Sequence, residues 1–355
     1  MRVVDCLLMR SGTVSFSEIS AVHLCICTTC IQALNPKKLL VEGVAGQRGW
    51  RWIMIIEGLP CIVLGIVTWF WLADEPETAY YLEPHERELM TKRRQREFGL
   101  RTSAHEFHTK DVKAGLKDWK IYMFCAGQFC ADNMLYSYST FLPTIIKGIN
   151  PSWSNQIVQV LTIPCYALGA LSYLGTAWVS DHFQRRGIPT VILAFVSIVG
   201  YALLIGGTSS GVHFAGCFLV AMGLYVTVGI PLAWLPSNNP RYGKRTTASG
   251  LQLTVGNSAG IMAPFRKTSE TNRQTSSSNS RVVYPTREGP NFRRGHGVTM
   301  GLLALAAAIY GGMSAYFSFA NKRRRNGAED NKVEGMTMDE VEELGDRSPR
   351  YIYTT

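Results

Sequence analysis

Charge is scarce in this sequence: Asp, Glu, Lys and Arg make up 17% of its 355 residues, where an ordinary soluble domain carries about a quarter. The shortage is local. Residues 75–120 and 320–355 are crowded with charge, and the long stretches between them are almost bare. A disordered chain, which needs high charge and few apolar residues, is excluded by this pattern, and an ordinary soluble enzyme is disfavoured. Other absences narrow the field. No phosphate-cradling Walker loop is present, so ATP is not expected to drive anything here. Cys25, Cys27 and Cys30 are followed by no second CxxC and no paired His. Zinc, which wants four ligands at recognised spacings, is therefore not expected, and these read as membrane-adjacent thiols. Cys61, Cys125, Cys130 and Cys217 read as small apolar residues. No cofactor, metal or enzymatic chemistry is expected.

What is present is apolar sequence in helix-length blocks. A bilayer core of about 30 Å takes about 20 residues of helix at about 1.5 Å each. Seven segments approach that length: Trp52–Ala73, Ile121–Ile146, Ile157–Val179, Pro189–Gly206, Val212–Leu235, Thr246–Phe265 and Val298–Phe319. Ile19–Leu34 is a shorter eighth candidate. Helices apolar all round need lipid or a very large core, and the runs are continuous rather than the alternating patterns of about 10 residues that barrel strands show.

Orientation follows from the basic residues, which collect on the cytoplasmic side. Residues 74–120 hold ten of them, matched by a similar number of acids, and 147–156 hold only Lys147. Arg185 and Arg186 follow in 180–188, none lies in 207–211, and Arg241, Lys244 and Arg245 lie in 236–245. The tail opens with Lys322, Arg323, Arg324 and Arg325. This alternation predicts a cytoplasmic loop after the first span and a cytoplasmic C-terminus. Residues 266–297 break it with seven basic residues in a composition typical of a disordered linker. The N-terminal 50 residues show no cleavable signal, since Ser17, Glu18 and His23 interrupt the apolar stretch. The basic run at 92–96, beside a span, suits an anionic lipid surface better than nucleic acid.

Several residues stand out against this background. Asp132 and Asn133 lie near the middle of a span, where a charge costs at least about 2.5 kcal/mol and should face the bundle interior or a water-filled cavity. They are candidates for substrate or proton handling, with a structural hydrogen bond to a neighbouring helix as the alternative. Tyr136 and Tyr138 on the same helix either line that cavity or pack. Asn257, in a helix rich in small residues, suits close packing with one amide bonding across, or a place on the pathway. Pro143, Pro164 and Pro231 suggest kinks or helix ends. In the segment Gly175–Gly187, Gly175 would let a neighbouring helix approach, Asp181 sits at a helix end, and Arg185 and Arg186 stay on the cytoplasmic face. An ordinary positive-inside turn would look the same.

Gly49–Gly58 (GWRWIMIIEG), Leu72–Ala79 (LADEPETA) with its charged continuation, Phe141–Ile146, the SDHFQRRG loop, Gly256–Asn257 through Ala263–Pro264, and the tail Glu343–Tyr351 occur in an order that resembles fungal major facilitator transporters. The group resembled is the anion:cation symporters, allantoate permease-like. The likeness covers roughly residues 46–265 and 284–353. It implies a twelve-helix fold of two halves with the substrate site between them, worked by rocking of the halves. It further implies proton-coupled carriage of a small organic anion such as allantoate, nicotinate or another vitamin-type carboxylate. The 180–187 loop is similar to the second-half copy of the superfamily's gating motif, which lends Asp181, Arg185 and Arg186 a conformational role.

The expectation is therefore an all-α polytopic membrane protein with a partial major facilitator fold. About seven transmembrane helices would correspond to the sixth helix plus the C-terminal six-helix half. Residues 1–45 remain unassigned, 46–74 form that sixth helix, 75–120 a cytoplasmic central loop, 121–319 the C-terminal half with a polar insertion at 266–283, and 320–355 a cytoplasmic tail. Partners would be the anion, a proton and the bilayer, without nucleic acid. Location would be the plasma membrane. Relative to the family the chain lacks the first five helices, so a monomer is expected to transport poorly, unless it associates with a second copy or a full-length carrier. A gene model with a lost 5′ region and a retained intron would produce both the missing helices and the insertion. A regulatory fragment, or a seven-helix receptor suggested only by the helix count, are the rival readings.

Overall fold

The computed structural model describes residues 49–71, 79–80, 82–98, 108–265 and 293–355, without 330, 332, 338–339 and 342–343. Ile19–Leu34, the three N-terminal cysteines and the insertion at 266–283 lie outside the described residues. Among the described residues there is no strand. The helices are α1 (Gly49–Trp71), α2 (Pro84–Phe98), α3 (Thr109–Leu116), α4 (Trp119–Ile149), α5 (Asn155–Phe183), α6 (Gly187–Gly206), α7 (Ser210–Ser237), α8 (Tyr242–Phe265) and α9 (Arg293–Arg325). A single 3₁₀ turn, Gly345–Arg347, follows in the tail.

Each of the seven apolar blocks is helical over its described residues, and the charged segment between the first two holds α2 and α3 rather than plain loop. Four of the helices are long and apolar enough to cross a membrane on length and composition alone, namely α5, α6, α7 and α9. The other two long members of the bundle, α4 and α8, are diluted by polar residues, and the two helices pack on each other. Polar groups turned toward a neighbouring helix lower the average hydropathy without facing lipid. Local sequence starts these helices in the usual way. Asp118, Ser154 and Ser209 cap α4, α5 and α7, each side chain accepting from a first-turn N–H.

In the bundle α6 lies against α7 and α9, α4 against α8 and α9, and α5 against α7. One apolar cluster joins α4 (Met134, Leu142), α6 (Leu204) and α7 (Val220, Leu224). A second, toward the other end, joins Phe124, Trp234, Tyr310 and Phe317 and reaches Tyr353 of the tail. The outer surface is apolar as well. Leu171, Trp178, Ile192, Phe195 and Leu305 are exposed, as lipid requires and water does not. On α1, Leu59, Ile62, Trp69 and Phe70 are likewise exposed.

Small residues set the closest helix approach. At Gly223 of α7 a Cβ would run into the carbonyl oxygen of Leu193 and the hydroxyl of Ser197 on α6. That hydroxyl donates to Val220 O at 3.0 Å, so it has little room to yield. Backbone cannot retreat here without separating the two helices. Gly223→Ala is expected to destabilise the bundle by about 1–3 kcal/mol, read as a lower unfolding temperature in detergent. An unchanged melt would contradict this packing.

Pro143, Pro164 and Pro231 all sit inside continuous helices instead of ending them. Around Pro231 the carbonyls of Val228 and Pro231 accept side-chain amides from α4 and α8, at 3.4 and 3.2 Å. Backbone oxygen at this level thus serves the polar site described next.

Candidate functional site

Polar residues of α4 at 128, 132 and 136 recur every fourth position, which stacks them on one face of the helix. Asp132 is buried, with 6% of its surface exposed. Its Oδ1 accepts from Gln128 Nε2 at 2.8 Å. The amide of Gln128 then ties four helices together: its Oε1 accepts from Gln252 of α8 at 3.2 Å and from the Tyr310 hydroxyl of α9 at 3.4 Å, while its nitrogen also reaches Val228 O of α7. Opposite Asp132 stands Gly256 of α8, where a Cβ would collide with the Asp132 carboxylate. Glycine is what lets α8 close over the acid. Among the described residues no basic side chain forms an ion pair with Asp132.

One turn further along, the Tyr136 hydroxyl donates to Asn257 Oδ1 at 2.9 Å. Tyr136 is half-buried and Asn257 exposed, so this pair is the open edge of the cluster. Three residues singled out from the sequence, Asp132, Tyr136 and Asn257, therefore come together along the α4–α8 seam. Asn133 is 1% exposed, and neither its amide nitrogen nor its oxygen has a hydrogen-bond partner among the described residues. Tyr138 points elsewhere. It is buried in the apolar cluster and its hydroxyl donates to Cys217 O of α7 at 2.8 Å, which makes it a packing residue apart from the seam. Gln128, Gln252 and Tyr310 were not singled out by sequence. The four-residue spacing of Gln128 to Asp132 was the available signal.

The other expected constellation lies at the C-terminal end of α5. Arg186 is buried and its guanidinium reaches Asp181 Oδ1 at 3.4 Å and Ser237 Oγ at 3.3 Å. Arg185 is exposed, and the backbone turns between the helices at Gln184, which takes a left-handed φ of 54°. Gln184 holds that turn by donating from Nε2 to Asp181 O at 2.7 Å. The close helix approach expected at Gly175 is not made, because nothing among the described residues lies within 4 Å of where its Cβ would stand.

Beside this loop, charges are gathered out of water. Lys244 of α8 bridges Asp118, at 2.5 Å, and Asp346 of the tail, at 2.8 Å. Lys120 of α4 meets the same Asp346 at 2.6 Å. Burial alone would raise the Asp346 carboxyl, but Lys120 and Lys244 outweigh it and hold the group below its ordinary range. Residues 320–355, the expected tail, begin with the last turn of α9 and then fold back onto the bundle, with Tyr353 in the second apolar cluster.

The family model of the Major Facilitator Superfamily matches residues 39–264. The chain belongs to this superfamily. Its helices form a partial major facilitator fold, and it is an integral, multi-pass membrane protein. Among superfamily relatives, an uncharacterized transporter of Schizosaccharomyces pombe is 40% identical over 227 residues, covering 63% of this chain and 45% of the relative. A second uncharacterized transporter of that yeast is 32% identical over 278 residues, covering 78% and 52%. The high-affinity nicotinic acid transporter of Saccharomyces cerevisiae is 28% identical over 218 residues, covering 61% and 40%. This superfamily member thus spans about half the length of the relatives it matches.

Proposed function

We propose that this chain serves transmembrane transport, as part of a symporter that moves a small organic anion together with a proton. The observation that carries the reading is Asp132. A carboxyl group buried between α4 and α8, held by one amide and facing no cation among the described residues, is suited to take up and release a proton as its surroundings change. Tyr136 and Asn257 supply hydroxyl and amide groups at the open edge of the same seam, where a carboxylate substrate can be hydrogen-bonded. Asn133 would add to the pathway an amide that has no partner among the described residues. Asp181 and Arg186 would form the conformational gate with Arg185 beside them. The gate would lie on the cytoplasmic face of the plasma membrane together with the C-terminus. Nicotinate is the first substrate to try, since one relative is named for nicotinic acid, and the allantoate permease-like resemblance points to the same class of anions.

The test is uptake of labelled nicotinate by membrane vesicles containing the chain, under an acid-outside gradient and after the gradient is collapsed. Accumulation that needs the gradient is the expected result. Binding without flux would favour the regulatory reading, in which the chain acts on a complete carrier. Absence of both binding and flux, with nicotinate and with allantoate alike, would contradict the proposal.

A further inference from the structure

We propose that Gly345–Thr355 is a strap that positions the loop between α5 and α6, residues 180–187, by fastening it to the ends of the neighbouring helices. The segment is extended at its end, with Tyr351 and Tyr353 turned inward and Ile352 outward. An extended segment needs partners for its backbone groups, and among the described residues no strand lies beside it. Two side-chain amides take that place. Asn321 of α9 donates from Nδ2 to Tyr353 O and accepts from Tyr353 N, both at 2.8 Å. Asn238, just past α7, does the same for Thr354, at 3.0 and 2.8 Å. Each amide thus satisfies the N–H and the C=O of one residue, as a neighbouring strand would. Trp234 Nε1 adds a second donor to Thr354 O at 2.8 Å.

The side chains fix the strap from within. Tyr353 stacks on Phe317, with ring centroids 4.7 Å apart, and lies beneath the guanidinium of Arg324 at 4.5 Å. Arg324 donates to Tyr351 O at 2.6 Å and to Asp346 O at 2.9 Å. At the near end Asp346 is held by Lys120 and Lys244.

At the far end the strap meets the loop. The backbone oxygen of Thr355 accepts from the N–H groups of Arg186 and Gly187, at 2.5 and 3.3 Å. These amides open α6 and have no carbonyl in the preceding turn of that helix, so the strap supplies the cap. A second tie runs through Ser237, whose carbonyl accepts from the Tyr351 hydroxyl at 2.7 Å while its hydroxyl lies 3.3 Å from the Arg186 guanidinium. The ends of α4, α6, α7, α8 and α9 are all fastened by this one segment. A shift of the loop against those ends has to undo it. That the shift gates a pathway rests on the carrier reading; the fastening itself does not.

The reporter is Ser180→Cys in the otherwise full chain. Ser180 is buried, and its hydroxyl donates to Arg185 O across the loop at 3.1 Å. Labelling by a maleimide, resolved at this position by peptide mass, measures how often the loop opens. Asn238→Ala and Asn321→Ala each delete two strap bonds and leave the Asp181–Arg186 pair intact. Each is expected to speed labelling by about tenfold or more, the factor that loss of two such hydrogen bonds carries. Tyr316→Ala removes the ring contact with Trp119, 5.1 Å between centroids, which joins α9 to α4 off the strap. It is expected to leave the rate unchanged. Labelling at the parent rate in both asparagine variants, or an equal rise in Tyr316→Ala, would overturn the strap. Because the readout is thiol labelling, absence of nicotinate uptake would count against the carrier reading alone.

Discussion

Replacing Asp132 by Asn is expected to lower gradient-driven nicotinate accumulation by about 10- to 100-fold, which is the size of a typical coupling free energy between two ligands. The substitution is nearly isosteric. Asn keeps an oxygen to accept the Gln128 amide, now at 2.8 Å, and adds no bulk against Gly256. What it removes is the exchangeable proton. Exchange of nicotinate across the membrane without a gradient should therefore persist at close to the parent rate. If Asp132→Asn retains acid-driven accumulation, Asp132 has no part in coupling. Loss of exchange and accumulation together would mean that the residue holds the bundle or the substrate instead.

Asp346→Ala is expected to cost about 3–5 kcal/mol, the usual penalty for breaking a buried ion pair by removing one partner. Two ammonium groups, those of Lys120 and Lys244, would be left with Asp118 as their one acidic partner among the described residues, in a site where all these side chains are mostly buried. Chemical or thermal unfolding in detergent reads the loss. The acid dependence follows from the sign of the Asp346 shift. Its folded value lies below the ordinary carboxylate value of 3.8, so the stabilisation is present above that value and disappears as pH falls through the lower, folded one. Stability from this group should be flat from neutral pH down to about pH 5 and fall below about pH 4. In Asp346→Ala that acid limb should shrink. An unchanged limb, with unchanged stability, would show that the tail charge is solvated.

The apolar blocks were legible because lipid leaves little choice: a backbone crossing hydrocarbon must be helical and must present apolar side chains. Asp132 was legible for the same reason, being a charge where charge is costly. Gln128 and Gln252 were not, since an uncharged amide in a span does not look anomalous until its partners are known. Tyr136 and Tyr138 are two residues apart, and only the rotation of α4 sends one to Asn257 and the other to Cys217. That the tail packs on the bundle is not legible in its dense charges and polar sequence neighbours. What folds it are Asn238 and Trp234, more than a hundred residues away, and no local pattern reports such pairs.

On the proposed reading, the α4–α8 seam lines a water-accessible path inside a helical bundle whose outer surface faces lipid. Single cysteines placed at Tyr136 and Asn257, and at Phe195 and Leu171 on the outer surface, can be reacted with a membrane-impermeant thiol reagent in sealed vesicles and in vesicles made permeable. The account predicts reaction at 136 and 257, slowed by nicotinate, and none at 195 and 171. Reaction at 195 and 171 with none at the seam would contradict it.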